Sequence, residues 1–337
     1  MSFAERLQRE WLAGGPLSAL LWPLSLVYGC VLSLRTLLYR LGVLKVGILP
    51  VPVIVVGNWI VGGAGKTPTT LALIKLLQAR GLRVGVISRG YGRPDDGVHL
   101  LTRDSSAADA GDEPLLIHLR TGVPVAVGRD RVAAARALLG ANPDLQLLIS
   151  DDGLQHWRLP RALSILVFDE RGLGNGRLLP SGPLRQRVST PGPDEMVLYN
   201  ASRPSTRLAG FMGQRSFAGA VALDAWWRGE PATMQAFEAL RGRRLLAAAG
   251  LAQPQRFFGM LRERGLDIEP LPLPDHHDFS TLPWPASTSE VLLTEKDAVK
   301  LRPEALGSTH AWVVALDFQP DHAFEQAFHT HVQRLLN

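Results

Sequence analysis

Residues 53–67 read VIVVGNWIVGGAGKT, a β-branched apolar run followed by glycines, a lysine and a hydroxyl residue. Glycines let several backbone N–H groups converge on one anion, and a lysine adds charge at the outer phosphates of a nucleotide. The next hydroxyl suits Mg²⁺, and the helix that follows aims its positive end at the same point. Gly62, Gly63, Ala64, Gly65, Lys66 and Thr67 carry this pattern, preceded by Ile60 and Val61; Ile60 stands where the strict G-x-x-x-x-G-K-[ST] form has its first glycine. A second signal is LQLLISDDG at 145–153, an apolar strand ending in Asp151 and Asp152. Strand C-termini of a parallel α/β sheet face one crevice, so these acids are the expected second anchor for Mg²⁺. SRGYGR at 88–93 follows another apolar strand, which brings Arg89, Tyr91 and Arg93 to the same edge for phosphate or sugar, or leaves them as a solvated loop. Gly111-Asp112-Glu113-Pro114 sets two acids at a helix start, where they also simply complement the helix dipole. Asp275-His276-His277-Asp278 invites a metal reading, but no partner carboxylate motifs stand upstream; an Asp–His pair orienting another acid is chemically more sensible.

These residues need a scaffold, and the hydrophobic pattern supplies one. Candidate strands at 53–57, 83–88, 123–127, 145–150, 163–168 and 195–199 alternate with candidate helices at 68–80, 111–121 and 129–140. That alternation predicts a mostly parallel α/β sheet with helices on both faces, of the P-loop NTPase kind. Residues 170–194 are rich in Gly, Pro, Arg and Ser without periodicity, which reads as a functional loop. Beyond a weak stretch at 200–243, strands 244–249, 267–271, 290–294 and 311–316 with helices 254–264 and 321–336 predict a smaller C-terminal α/β unit. The expected division is therefore 1–45, 46–215 and 216–337.

Bulk properties narrow the partners. The net charge of +5 suits acidic ones, yet no Lys/Arg run or aromatic-interleaved basic strip is present, which disfavours nucleic acid. A single cysteine, Cys30, excludes an internal disulfide and a multi-cysteine metal site. Residues 17–34, LSALLWPLSLVYGCVLSL, carry no charge and lie between Arg6 and Arg9 on one side and Arg35, Arg40 and Lys45 on the other. Three readings stand: a spanning helix near the minimum length and interrupted by Pro23 and Gly29, a buried core helix, or a helix lying in one leaflet. The last is expected, with Trp11, Trp22, Tyr28 and Tyr39 at headgroup depth.

Taken together, VVGNWIVGGAGKTP, SRGYGR, GDEP, DDGLQH, LLPSGPLR, AGLAQPQRFF, DHH and TEKDAVK resemble, in order and over nearly the whole chain, the tetraacyldisaccharide 4′-kinase (lipid A 4′-kinase) family. That family also lacks the first loop glycine. The resemblance implies a membrane-associated enzyme at the cytoplasmic face of the bacterial inner membrane. It would move the γ-phosphate of ATP to the 4′-hydroxyl of a tetraacyl disaccharide 1-phosphate glycolipid, forming lipid IVA, without an obligate protein partner. By motif, Lys66 and the loop would hold ATP, with Thr67, Asp151 and Asp152 at Mg²⁺ and Glu113 a metal-side or positioning acid. Asp112 would be the base for the sugar hydroxyl, paired with His276. Tyr91 and Arg185 would line the phosphate and disaccharide region, with Gln155 and His156 close to the metal. Arg129 or Arg131 would offset transition-state charge; TEKDAVK marks the family without an implied role. Two domains would let the cleft close and exclude water. A rival is a partitioning-type ATPase switch, whose loops carry a lysine where Val61 stands; another is a binding module with an inactive loop, against which Lys66, Thr67 and Asp151 argue.

Overall fold

Val53, Ile54, Val55 and Val56 are all at most 1 % exposed. A strand so apolar on both faces is stable only inside a covered parallel sheet. In the computed structural model, which describes residues 3–251 and 253–337, the strand Val53–Gly57 lies between Leu147–Asp151 and Leu163–Phe168, parallel to both. Val84–Ser88 adds beyond the first and Glu195–Tyr199 beyond the second, again parallel. The start of Phe211–Ala222 pairs next to Glu195–Tyr199. Helix Lys66–Gln78 covers the central strands with Leu73, Ile74 and Leu77, and Arg131–Ala141 packs on Val84–Ser88. The C-terminal helix His322–Leu336 is N-capped by Asp321, whose Oδ1 accepts the Phe324 N–H at 2.7 Å, and its Phe324 meets Phe211 edge-on.

The chain forms two compact units, the first built from residues 1–88, 131–214 and 319–337, the second from 89–130 and 215–318. The segment 89–130 therefore groups with the C-terminal part of the chain, although the sequence places it within a continuous 46–215 core. In the second unit Asp267–Pro272, Arg244–Ala249, Glu290–Thr294 and His310–Pro320 form a parallel series. Helix Pro254–Glu263 packs Phe257, Phe258 and Leu261 into its core. His99–Leu100 pairs antiparallel with Val125–Val127.

Three N-terminal helices, Phe3–Ala13, Pro16–Leu20 and Trp22–Arg40, belong to the first unit. Among the described residues no helix is long and apolar enough to cross a membrane, so the spanning reading fails. The buried-core reading fails as well: Leu24, Val27, Val31 and Leu34 are 57–62 % exposed. The opposite face is pinned to the protein by polar contacts. Trp11 donates to the Pro180 carbonyl at 2.9 Å, Ser25 to Leu178 at 2.9 Å and Tyr28 to Arg185 at 2.9 Å. Arg35 lies over the rings of Tyr39 and Trp157, 5.9 and 5.4 Å from their centroids, and donates to the Gln155 carbonyl. The Arg6 side chain, and Ala252 of the AGLAQPQRFF motif, lie outside the described residues.

Candidate active site

The glycine loop leaves the strand Val53–Gly57 and returns as the helix Lys66–Gln78, with Gly65 as its N-cap at φ 89°, a conformation a Cβ would oppose. Ile60 is a core residue, 1 % exposed and bridged to Leu184, and the Val61 N–H donates to Pro183 at 2.9 Å. The glycine turn thus begins at Gly62, at φ 95°, and position 60 is taken by the core instead of by the turn, so no glycine is needed there. Arg171, held by Asp169, donates to the carbonyls of Val61 at 3.3 Å and Gly63 at 2.9 Å, and Asn200 donates to Ala64 at 3.0 Å. In a trans peptide the following N–H points opposite to its carbonyl, so drawing these oxygens aside turns the next amides the other way. Lys66 Nζ lies 3.3 Å from the Gly62 carbonyl, 3.4 Å from Asn58 Oδ1 and 3.8 Å from Asp152.

The strand Leu147–Asp151 delivers the two acids to this loop. Asp151, 1 % exposed, accepts a hydrogen bond from Thr70 at 2.8 Å, one turn along the helix from Thr67. Asp152 takes a left-handed backbone at φ 47°, an arrangement that costs energy and persists only where neighbours enforce it. Its carboxylate meets Arg185 at 3.1 Å, and its carbonyl accepts from Arg131 at 2.9 Å. Burial pushes the Asp152 carboxyl upward, but Lys66 and Arg185 outweigh it and hold the group below the ordinary carboxylate range. Asn58, fully buried, joins the parts: Arg185 donates to its carbonyl at 3.0 Å and to its Oδ1, and Gln155 donates to its carbonyl at 3.1 Å. His156 Nδ1 lies 3.4 Å from Arg131. Sequence reasoning missed Asn58, Thr70, Arg171 and Asn200; of these only Thr70, three residues after Thr67, carried a readable helical spacing.

The donor set suits Mg²⁺: a hydroxyl at Thr67 and buried carboxylate oxygen at Asp151 are hard ligands, as that ion requires. Asp152 is already engaged by two cations, and Glu113 belongs to the second unit, so the three acids and one hydroxyl named from sequence are divided between units.

In the second unit, SRGYGR and GDEP are pressed together: a Cβ on Gly111, at φ 85°, would stand 3.1 Å from the Gly90 Cα. Asp112 and Glu113 open the helix Asp112–Thr121. His276, itself at φ 61°, brings Nδ1 to 3.0 Å from Asp112 Oδ2, and the Tyr91 ring lies 5.6 Å from the His276 ring. Lys300 Nζ is 3.6 Å from the same Oδ2, and Lys296 is 4.0 Å from Glu113. Burial raises the Asp112 carboxyl, but the His276 hydrogen bond and the Lys300 charge prevail and lower it. Among the described residues no group of three or more His, Cys, Asp or Glu side chains gathers for a metal, so the D-H-H metal reading is unsupported. Arg129 and Arg131 part company. Arg129 is exposed and paired with Asp96 at 2.7 Å, whereas Arg131 is 8 % exposed against the Asp152 turn.

The sequence model for tetraacyldisaccharide-1-P 4′-kinase (LpxK) matches residues 17–333. The tetraacyldisaccharide 4′-kinase of Methylibium petroleiphilum is 52 % identical, covering 96 % of this chain and 92 % of its own. That of Leptothrix cholodnii is 51 % identical, covering 95 % and 94 %. The crystal structure of LpxK from Aquifex aeolicus in complex with ATP superposes with a TM-score of 0.79 at 29 % identity, over 95 % of this chain and 100 % of that one. A glycine loop closed by Lys66 and Thr67, acids at the next strand end and a match along almost the entire sequence lead to one family: the chain belongs to the tetraacyldisaccharide 4′-kinases.

Proposed function

We infer that this chain is an ATP-dependent kinase that phosphorylates the 4′-hydroxyl of tetraacyldisaccharide 1-phosphate, giving lipid IVA in lipid A synthesis. The observation that carries this reading is family membership over residues 17–333, joined to a phosphate loop whose lysine is intact. The partitioning-type switch finds no comparable support. In the reaction the sugar oxygen bonds to the γ-phosphorus, the bond to the bridging oxygen breaks, and ADP leaves with that electron pair. The protein's part is positioning and charge neutralisation. Lys66 and the Gly62–Thr67 amides hold the phosphates, and Arg185 and Arg131 offset equatorial charge. Asp112, kept ionised by its neighbours, accepts the hydroxyl proton, and His276 orients it. Thr67 and Asp151 would hold Mg²⁺, which supplies neutralisation of the triphosphate when bound. Tyr91, Gln155 and His156 serve the acceptor side. Peripheral attachment to the cytoplasmic leaflet of the inner membrane, through the exposed face of Trp22–Arg40, would bring the enzyme to an acceptor with four acyl chains.

The test is incubation with γ-labelled ATP and tetraacyldisaccharide 1-phosphate, followed by chromatography. A labelled lipid that appears only with acceptor present is expected. Steady ATP hydrolysis without acceptor and without labelled lipid would restore the switch reading.

A further inference from the structure

The segment TEKDAVK, residues 294–300, has no part in the chemistry above, yet its contacts converge on the helix that carries Asp112. At the far end of that helix, Arg120 donates to Glu295 at 2.7 Å, to the Leu316 carbonyl at 2.7 Å, and to Asp317. At the near end, Lys300 Nζ faces Asp112 Oδ2 at 3.6 Å. Lys300 is itself seated on Asp297 at 3.2 Å, with its side chain 5 % exposed. Asp297 is fully buried and triply held. It accepts from Thr294 Oγ1 at 2.6 Å and from the Gly250 N–H at 3.1 Å, besides Lys300. Lys296, one turn before Lys300, brings Nζ to 3.1 Å from Asp275 and 3.4 Å from His276 Nε2.

We propose that Lys300 and Lys296 are positioning residues of the Asp112–His276 pair, with Asp297 as the buried seat from which Lys300 reaches the carboxylate. The argument rests on the proposed role of Asp112 and goes beyond it. An ammonium group has only donors, so His276 Nε2 accepts from Lys296 and the ring proton sits on Nδ1, toward Asp112. His276 and Lys300 both make their approach to Oδ2. The carboxylate is thereby fixed in rotation, and Oδ1 is the oxygen turned to an incoming hydroxyl. A base held from two sides keeps its near-attack geometry without reorganising at the moment of transfer. The further charged groups around the pair, Glu113 and Asp275, are both faced by Lys296.

A double-mutant cycle on the full chain tests this. Lys300→Met should lower kcat by roughly 10–100-fold with KM for ATP and lipid changed less than about twofold. Lys300→Arg should recover a substantial part of the loss, because it returns the cation. In an Asp112→Asn background, Lys300→Met should change the residual rate by less than about twofold, since a residue acting through Asp112 has nothing left to act on. Thermal unfolding and binding of a non-hydrolysable ATP analogue are measured alongside. If Lys300→Met does not fold, Lys300→Arg and Lys296→Met, whose side chain is more exposed, carry the same comparison. Additive losses in the cycle, or a rise in KM at unchanged kcat, would overturn the proposal while leaving Asp112 as base. If Asp112→Asn itself works within about threefold of the parent, the base assignment falls first and this inference with it.

Discussion

A phosphate-loop lysine has to give up protein partners to serve a nucleotide, and here it has three: Gly62, Asn58 and Asp152. All are weak contacts at 3.3–3.8 Å, so a triphosphate competes with them easily. Lys66→Ala should cut transfer by about 10²–10³-fold, the scale of losing one fixed charge at a developing oxyanion; steady-state transfer at near-parental rate would reject the loop assignment. Asp152 makes a pH statement. Its carboxyl is held low by Lys66 and Arg185 against its burial, so it contributes stability above the ordinary carboxylate pKa and loses it as pH falls through the lowered value. Arg185→Ala should therefore unfold more readily than the parent in urea near neutral pH, with the gap closing in acid; a pH-independent gap would contradict this coupling. Lys66, Thr67 and the two acids could be singled out because their types and spacing suit phosphate and Mg²⁺ chemistry, and the structure brings Lys66 within 3.8 Å of Asp152. Asn58 could not, because an asparagine after a glycine reads as a turn residue until Arg185, Lys66 and Gln155 are seen around it.

At the scale of elements, the N-terminal helices show how far periodicity reaches. The uncharged stretch was visible, but which of its residues face the protein is decided by Ser18, Ser25 and Tyr28, whose hydroxyls find partners in the loop 178–185. The apolar residues opposite remain exposed, Val27 at 62 % and Val31 at 57 %. Removing residues 1–40 would strip that loop, and with it the support of Arg185, so a deletion mixes two effects. Val27→Asp with Val31→Asp is cleaner. It should release the protein from anionic vesicles in a sedimentation assay and raise KM for the lipid, while the thermal midpoint stays put, since exposed positions contribute little to the fold. Unchanged sedimentation would refute anchoring by this face. The strand Phe211–Ala222 escaped notice for the opposite reason: Gly213, Gln214, Arg215, Ser216 and Gly219 interrupt its alternation, and backbone pairing with Glu195–Tyr199 sets its start instead.

The whole molecule is interleaved, and that is where a linear reading falls short. Hydrophobic periodicity finds strands and helices one after another; it does not say that 89–130 groups with 215–318, or that 319–337 returns to the first unit. The returning helix is not ornamental. Phe324 is fully buried and Phe328 1 % exposed, stacked on each other, and the Met212 N–H donates to Asp321 at 2.9 Å. Phe324→Ala should cost about 3–5 kcal/mol, the usual consequence of emptying a buried aromatic site. The stronger consequence concerns fragments. A polypeptide of residues 46–215 contains every phosphate-loop residue, Asp151, Asp152 and Arg185, yet it lacks the N-terminal helices that hold the loop 178–185 and the C-terminal helix that covers Phe211. It also carries 89–130 without the residues that segment packs with. Such a fragment should show no cooperative thermal transition and no shift on adding an ATP analogue, whereas the full chain at analogue concentrations about 100 times Kd should gain about 2.7 kcal/mol. Cooperative, analogue-responsive unfolding of 46–215 would mean that the nucleotide site is a continuous domain after all, and that the returning helix is a covering the fold can do without.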